Sequence, residues 1–153
     1  MHIVLADARL LWRVINYLQR DASDKGILKG SNDFMGISSF WCNLDEFTPA
    51  MLQNRLYVVL NTRNHLLAYF ITGSSLEHDG RDGVCPIDIF EVLPSYRSKG
   101  VGSFIVSWVK DKACTAGFHS LRVLPANDSD AFWKKKGFDT SGDSHDYLHL
   151  PIA

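Results

Sequence analysis

Ile87-Asp88-Ile89-Phe90-Glu91-Val92-Leu93-Pro94-Ser95-Tyr96-Arg97-Ser98-Lys99-Gly100-Val101-Gly102 is a strand-forming run that a proline stops and a glycine-bearing turn follows. Beyond it Val101, Phe104, Ile105, Trp108 and Val109 recur at helical spacing. That stripe predicts an amphipathic helix over Gly100 to Ala116, with Gly117 placed as its C-terminal cap. A strand that passes through such a turn into a helix brings unpaired backbone N–H groups and a positive dipole end to one place. That geometry holds a phosphate or pyrophosphate. Gly100 and Gly102 let a ligand approach the backbone closely, and Arg97 and Lys99 add positive charge beside them.

Two familiar phosphate motifs do not fit. A Walker-type loop needs Lys and Ser/Thr directly after its last glycine, whereas Gly102 is followed by Ser103-Phe104. A dinucleotide fingerprint needs a third small residue where Ile105 stands, and an acid near the end of the next strand, where Arg122 lies.

Outward from this turn, Val84 to Leu93 reads as its strand. Upstream, Leu56 to Leu60 and Leu66 to Thr72 predict a hairpin closed by residues 61–65, and Gly73 to Gly83 a loop. Asp7 to Gln19 carries Leu11, Val14, Ile15 and Leu18 on one helical face, with Asp7 placed to cap it. Asp21 to Ser39 is rich in Gly, Ser, Asn and Asp and reads as loop, and Leu44 to Asn54 as a short helix. Downstream come a strand at Leu121 to Leu124, a short helix at Asp128 to Lys136 closed by Gly137, and a last strand at Tyr147 to Ile152. The order predicts one mixed α/β (α+β) domain over residues 1–153.

Composition agrees with a folded domain. The chain has 153 residues, 46% hydrophobic and 22% charged, which excludes disorder. Its net charge of -1 supplies no general field for nucleic acid, so none is expected as a partner. No apolar run is long enough for a membrane span, and no basic leader opens the chain. Cys42, Cys85 and Cys114 are too far apart for a C-x-x-C site and read as free thiols of a reducing compartment, so the expected location is the cytoplasm. His145 and His149 stand at i, i+4 but in a predicted loop and strand, so no metal is expected.

Two motifs together carry a family resemblance. Val92-Leu93-Pro94 followed by Arg97-Ser98-Lys99-Gly100-Val101-Gly102 resembles the V-x-P strand end and R/Q-x-x-G-x-G/A turn of the GCN5-related N-acetyltransferase (GNAT) superfamily. Phe132-Trp133-Lys134-Lys135-Lys136-Gly137-Phe138 resembles its F-Y-x-x-x-G-F motif. The resemblance covers roughly residues 55 to 150. It implies a mostly antiparallel central sheet, flanked by helices, whose parallel pair splays at the cofactor site. It also implies acetyl-coenzyme A as cofactor and a small-molecule or peptide amine as acceptor. Backbone groups of Phe90, Glu91 and Val92 would pair with the pantetheine arm. The turn from Arg97, Ser98, Lys99, Gly100, Val101 and Gly102 to Ser103 would hold the pyrophosphate, and Asn127 and Trp133 would join the cofactor-binding residues.

For the reaction, Asp88 is the candidate base. A central strand should be apolar on both faces, and Asp88 alone interrupts Ile87, Ile89 and Phe90; the family also commonly places a base four residues before Val92. The competing reading is a structural carboxylate at the sheet surface or paired with Arg122. Glu91 is the second candidate, on the expectation of a β-bulge there. Trp133 occupies the position of the family's usual acid, a tyrosine, and an indole cannot give that proton. The family's asparagine would fall at Ala126, with Asn127 one place late. Water, Tyr69 or Tyr147 are then the remaining proton sources. A coenzyme A-binding module without turnover is the alternative, an acetylating toxin acting on charged tRNA gains little from the net charge, and a homodimer is left open.

Overall fold

The computed structural model describes residues 1–24, 37–77, 83–125, 129–141 and 144–152. One seven-stranded sheet forms the middle layer, in the order β1 (His2–Leu5), β2 (Leu56–Leu60), β3 (Leu66–Thr72), β4 (Val84–Val92), β5 (Ser120–Val123), β7 (Ser144–Pro151), β6 (Asp139–Ser141). Every pairing is antiparallel except β4 with β5, which is parallel.

Helices cover both faces. On one lie α1 (Ala8–Asp24) and α2 (Ile37–Leu52), which set Leu11, Val14, Leu18, Phe47 and Ala50 on Leu56, Val58, Leu60, Tyr69 and Ile71. On the other lie α3 (Val101–Thr115) and α4 (Asp130–Lys135), packed on Tyr57, Val59, Phe70, Cys85, Ile87 and Leu121. Every residue of β2 and β3 is therefore buried, which is why both read as unbroken apolar runs rather than as alternating ones.

Local signals set the helix ends. Leu10 N–H donates to the Asp7 carboxylate at 2.9 Å, an N-cap worth about 1 kcal/mol. Behind α3, Gly117 adopts φ 95°, and the N–H groups of Gly117 and Phe118 donate back to Cys114 and Ala113. Behind α4, Gly137 adopts φ 94°, and Gly137 and Phe138 donate to Lys134 and Trp133. Both closures satisfy carbonyls that the helix itself leaves free and turn a phenylalanine back into the core.

Two expectations change. The loop read over Asp21 to Ser39 is helical at both ends, since α1 runs on to Asp24 and α2 begins at Ile37; residues 25–36 lie outside the described residues. Once packing has nucleated a helix, polar residues extend it at little cost, so composition alone ends it too early. β1 and β6 are additional strands. Both are sheet edges of only four and three residues, too short to show a period in the sequence. Residues 78–82 of the expected loop at Gly73 to Gly83 also lie outside the described residues.

Candidate active site

β4 and β5 pair at only four positions, from Val84 with Ser120 to Ile87 with Val123. β5 then ends, while β4 continues to Val92. The remaining length of β4 is held by β3 alone, so its other edge opens.

Which groups face that opening follows from the ladder. Leu93 N–H donates to the Leu67 carbonyl at 2.9 Å, and Tyr69 stands opposite Glu91 and Ile71 opposite Ile89. Alternation then turns the backbone groups of Ile89, Glu91 and Leu93 toward β3, and those of Phe90 and Val92 toward the open edge. The N-terminus of α3 closes the far side. Its first bond runs from Phe104 N–H to the Gly100 carbonyl at 3.0 Å, leaving the N–H groups of Val101, Gly102 and Ser103 without helical partners. Ser98 at φ 60° and Gly100 at φ 85° shape the turn before it.

The result is a cleft of about 780 Å³. Asp88, Phe90, Glu91, Val92, Arg97, Ser98, Gly100, Gly102, Ser103 and Trp133 all line it. Val101 turns its side chain into the core, and the Lys99 ammonium stands 6.0 Å above the Tyr96 ring. Asn127 and Ala126 lie outside the described residues. Tyr96 and Ser129 line the cleft too, although no motif pointed to them. Tyr96 could have been found from its place between the strand-ending proline and Arg97.

Asp88 sits at the register shift between β3 and β4: Ile71 faces Ile89 and Thr72 faces Ile87, which leaves Asp88 unopposed. The bulge expected at Glu91 is therefore at Asp88. It carries Ile87 and Phe90, three residues apart, onto the same α3-facing layer. Asp88 is exposed and has no hydrogen-bond or ion-pair partner among the described residues. Arg122 instead lies over the Tyr147 ring, its guanidinium 4.7 Å from the centroid. A second hollow of about 680 Å³, lined by Asp45, Glu46, Gln53 and Arg55 among others, also reaches Asp88. Asp88 thus stands where two openings meet.

Glu91 has a different setting. Tyr69 donates its hydroxyl to Glu91 Oε2, and Arg97 Nη2 lies 3.6 Å from Oε1. Burial first, and the Glu91 charge second, push the Tyr69 phenol far above its ordinary range. Tyr17 on α1 is pushed up to about 12 by burial and by the charges of Glu91 and Asp21. The Arg97 Nε donates to the Val92 carbonyl at 2.9 Å, so this guanidinium is folded back on β4.

The second wall is aromatic. Trp133 is buried, with ring centroids 4.9 Å from Phe90, 5.0 Å from Phe132 and 5.1 Å from Phe138. A Cβ at Gly102 would meet the Phe132 ring at 3.0 Å. Gly102 is thus needed for the contact between α3 and α4 as well as for space in the cleft. Of the two tyrosines weighed as proton sources, Tyr69 is engaged with Glu91 and Tyr147 is not among the residues lining the cleft. Cys85 is buried, its thiol pushed up to about 12 mainly by that burial, and Cys114 is exposed; both are free.

A seven-stranded mixed sheet with one splayed parallel pair, and a helix N-terminus facing the split, defines the acetyltransferase class of α/β folds. The sequence profile described as Acetyltransferase (GNAT) family matches residues 32–138, and the chain belongs to that family. No curated protein sequence matches it significantly. Among solved structures, it is similar to GCN5 from Tetrahymena, at 13% identity and TM-score 0.65, with 99% of this chain and 94% of that one covered. The PaiA N-acetyltransferase from Thermoplasma acidophilum, in complex with coenzyme A, aligns at 13% identity and TM-score 0.69 over 98% of each chain. A GNAT family acetyltransferase from Brucella melitensis, in complex with acetyl-CoA, aligns at 13% identity and TM-score 0.64, covering 99% of this chain and 88% of that one. No helix among the described residues is long and apolar enough to cross a membrane.

Proposed function

We propose that this protein transfers an acetyl group from acetyl-coenzyme A to a primary amine by direct attack. The observation that carries the reading is the open edge of β4 at Phe90 and Val92, facing the free N–H groups of α3 across the cleft. This arrangement fits the coenzyme: an extended amide arm can pair with a strand edge, and its pyrophosphate with a helix N-terminus. Bound acetyl-coenzyme A supplies the thioester carbonyl that the amine attacks. The backbone of Phe90 and Val92 orients the arm, and the Val92 N–H polarises the carbonyl. Ser98 to Ser103 hold the phosphates through backbone N–H groups, while Lys99 adds charge at the rim.

Asp88 takes the proton of the amine, directly or through water, at the meeting point of the two openings. The hollow behind it carries Asp45 and Glu46 against Arg55, whose Nη1 is committed to the Thr72 carbonyl at 2.8 Å. An acceptor arriving as an ammonium ion suits that lining. A thiol leaving group has a pKa of about 8.5, so solvent can protonate it near neutrality and no tyrosine at position 133 is required. The buried indole of Trp133 at that position favours one second reading, a module that binds acyl-coenzyme A without turnover.

A thiol-release assay separates the two. Purified protein with acetyl-coenzyme A is screened against small amines, polyamines and peptides with free N-termini or lysines. Release above the acceptor-free rate with any of them supports transfer. Coenzyme binding by calorimetry with no release across the panel supports the binding module, and absence of coenzyme binding rejects both.

A further inference from the structure

The Glu91 carboxylate lies on the α1-facing side of β4, where Tyr69 from β3 and Arg97 from the phosphate turn converge on it, and its charge is felt by Tyr17 of α1. Asp21 adds a second negative charge from α1. Both Glu91 oxygens are engaged, one by the Tyr69 hydroxyl and the other by the Arg97 guanidinium. Arg97 in turn reaches back five residues to the Val92 carbonyl. That carbonyl is on the open edge of β4, while Arg97 itself belongs to the turn that leads into α3.

Resting on the functional reading above, we infer that Glu91 is a positioning residue: held by Tyr69, it clamps Arg97 across the end of β4 and fixes the phosphate turn relative to the strand edge. Two parts of the coenzyme site, one for the arm and one for the phosphates, are thereby kept at a constant spacing. Arg97 serves this brace with its side chain and leaves anion binding to the backbone N–H groups. The proton of the amine goes to Asp88, which has no competing partner among the described residues. Tyr69 is nearly wholly buried, so the hydroxyl that holds the carboxylate is itself fixed by the core.

The test uses the full chain as wild type, Glu91→Gln, Tyr69→Phe and Arg97→Lys, with acetyl-coenzyme A as the probe. Calorimetry on Glu91→Gln should show coenzyme affinity weakened about two- to fivefold, the scale of a half-exposed charged pair. The kcat against pH should keep its shape, with the loss appearing in the coenzyme KM. Amide exchange across residues 93–103, measured without coenzyme, should quicken in all three variants. Tyr69→Phe removes only a hydroxyl and serves if Glu91→Gln does not fold. Unchanged affinity with unchanged exchange overturns the clamp. Unchanged affinity with kcat down a hundredfold and its rising pH limb lost makes Glu91 the base, and also overturns it. If the wild type binds no coenzyme the functional reading falls, and the exchange result alone decides the clamp.

Discussion

Asp88 and Glu91 are three residues apart on one strand, yet their surroundings differ. Glu91 is braced by a phenol and a guanidinium, whereas the bulge lifts Asp88 out of the ladder and leaves it unpaired among the described residues. Asp88→Asn should therefore lower kcat by about 10²–10⁴ and leave coenzyme affinity almost unchanged. The deficit should shrink as pH rises, because more of the acceptor amine is already neutral. Wild-type kcat at every pH would reduce Asp88 to a structural carboxylate. Trp133 invites a separate test. Its indole is wedged among Phe90, Phe132 and Phe138, so Trp133→Tyr loses ring contact and leaves part of its site unfilled. Chemical denaturation should register a loss of about 1–3 kcal/mol. Thiol release should change by less than about tenfold if solvent already protonates the leaving thiolate.

At the scale of elements, the turn into α3 depends on its two glycines for different reasons. Gly100 is left-handed with open space around it, so Gly100→Ala costs conformation alone, about 1–2 kcal/mol. Gly102 has Phe132 against it, so Gly102→Val must displace that ring and disturb the contact between α3 and α4 before it meets any ligand. Calorimetric unfolding with and without coenzyme distinguishes them. Gly102→Val should lose stability and affinity together; a variant that lost affinity at an unchanged thermal midpoint would mean that only the ligand is crowded. This second role was not legible in the sequence, because the Phe132 contact joins positions thirty apart. The elements themselves were legible wherever burial repeats with a period, as at Leu11, Val14 and Leu18, or wherever a strand is covered on both faces, as at Leu56 to Leu60. Edge strands β1 and β6 lacked that signal, and the position of the bulge could not be read because it depends on which β3 residue each β4 residue meets. Most residues lining the cleft lie next to the two motifs and could be named in advance. Tyr96 was within reach of the same reading, whereas Ser129 and the engagement of Glu91 with Tyr69 appeared only once β3, β4 and α4 were brought together.

For the whole molecule, the two helical layers put tyrosines where only the neutral phenol is tolerated. Tyr57 and Tyr69 are almost fully buried in opposite layers, each with a carboxylate, Glu77 or Glu91, accepting from its hydroxyl. Tyr17 is the third, pushed up to about 12 by burial and by Glu91 and Asp21. In all three, burial is the larger cause, and the nearby negative charge acts in the same direction. An unfolded tyrosine ionises near about pH 10. The folded state therefore keeps protons that the unfolded state has released, and stability must fall as pH rises above that point. Below about pH 10 this contribution is intact; it should decline from there through pH 12, where Tyr17 itself begins to ionise in the folded state. Thermal midpoints from pH 8 to 12 should be level at first and then drop steeply. Phenolate absorbance should show that Tyr57 and Tyr69, two of the five tyrosines, ionise together with unfolding rather than before it. Tyr69→Phe tests the assignment, because it removes one of the three phenols while keeping the ring in both layers' shared sheet. That variant should show a shallower alkaline decline than the wild type, and an equally steep decline would mean that Tyr69 ionises freely in the folded protein.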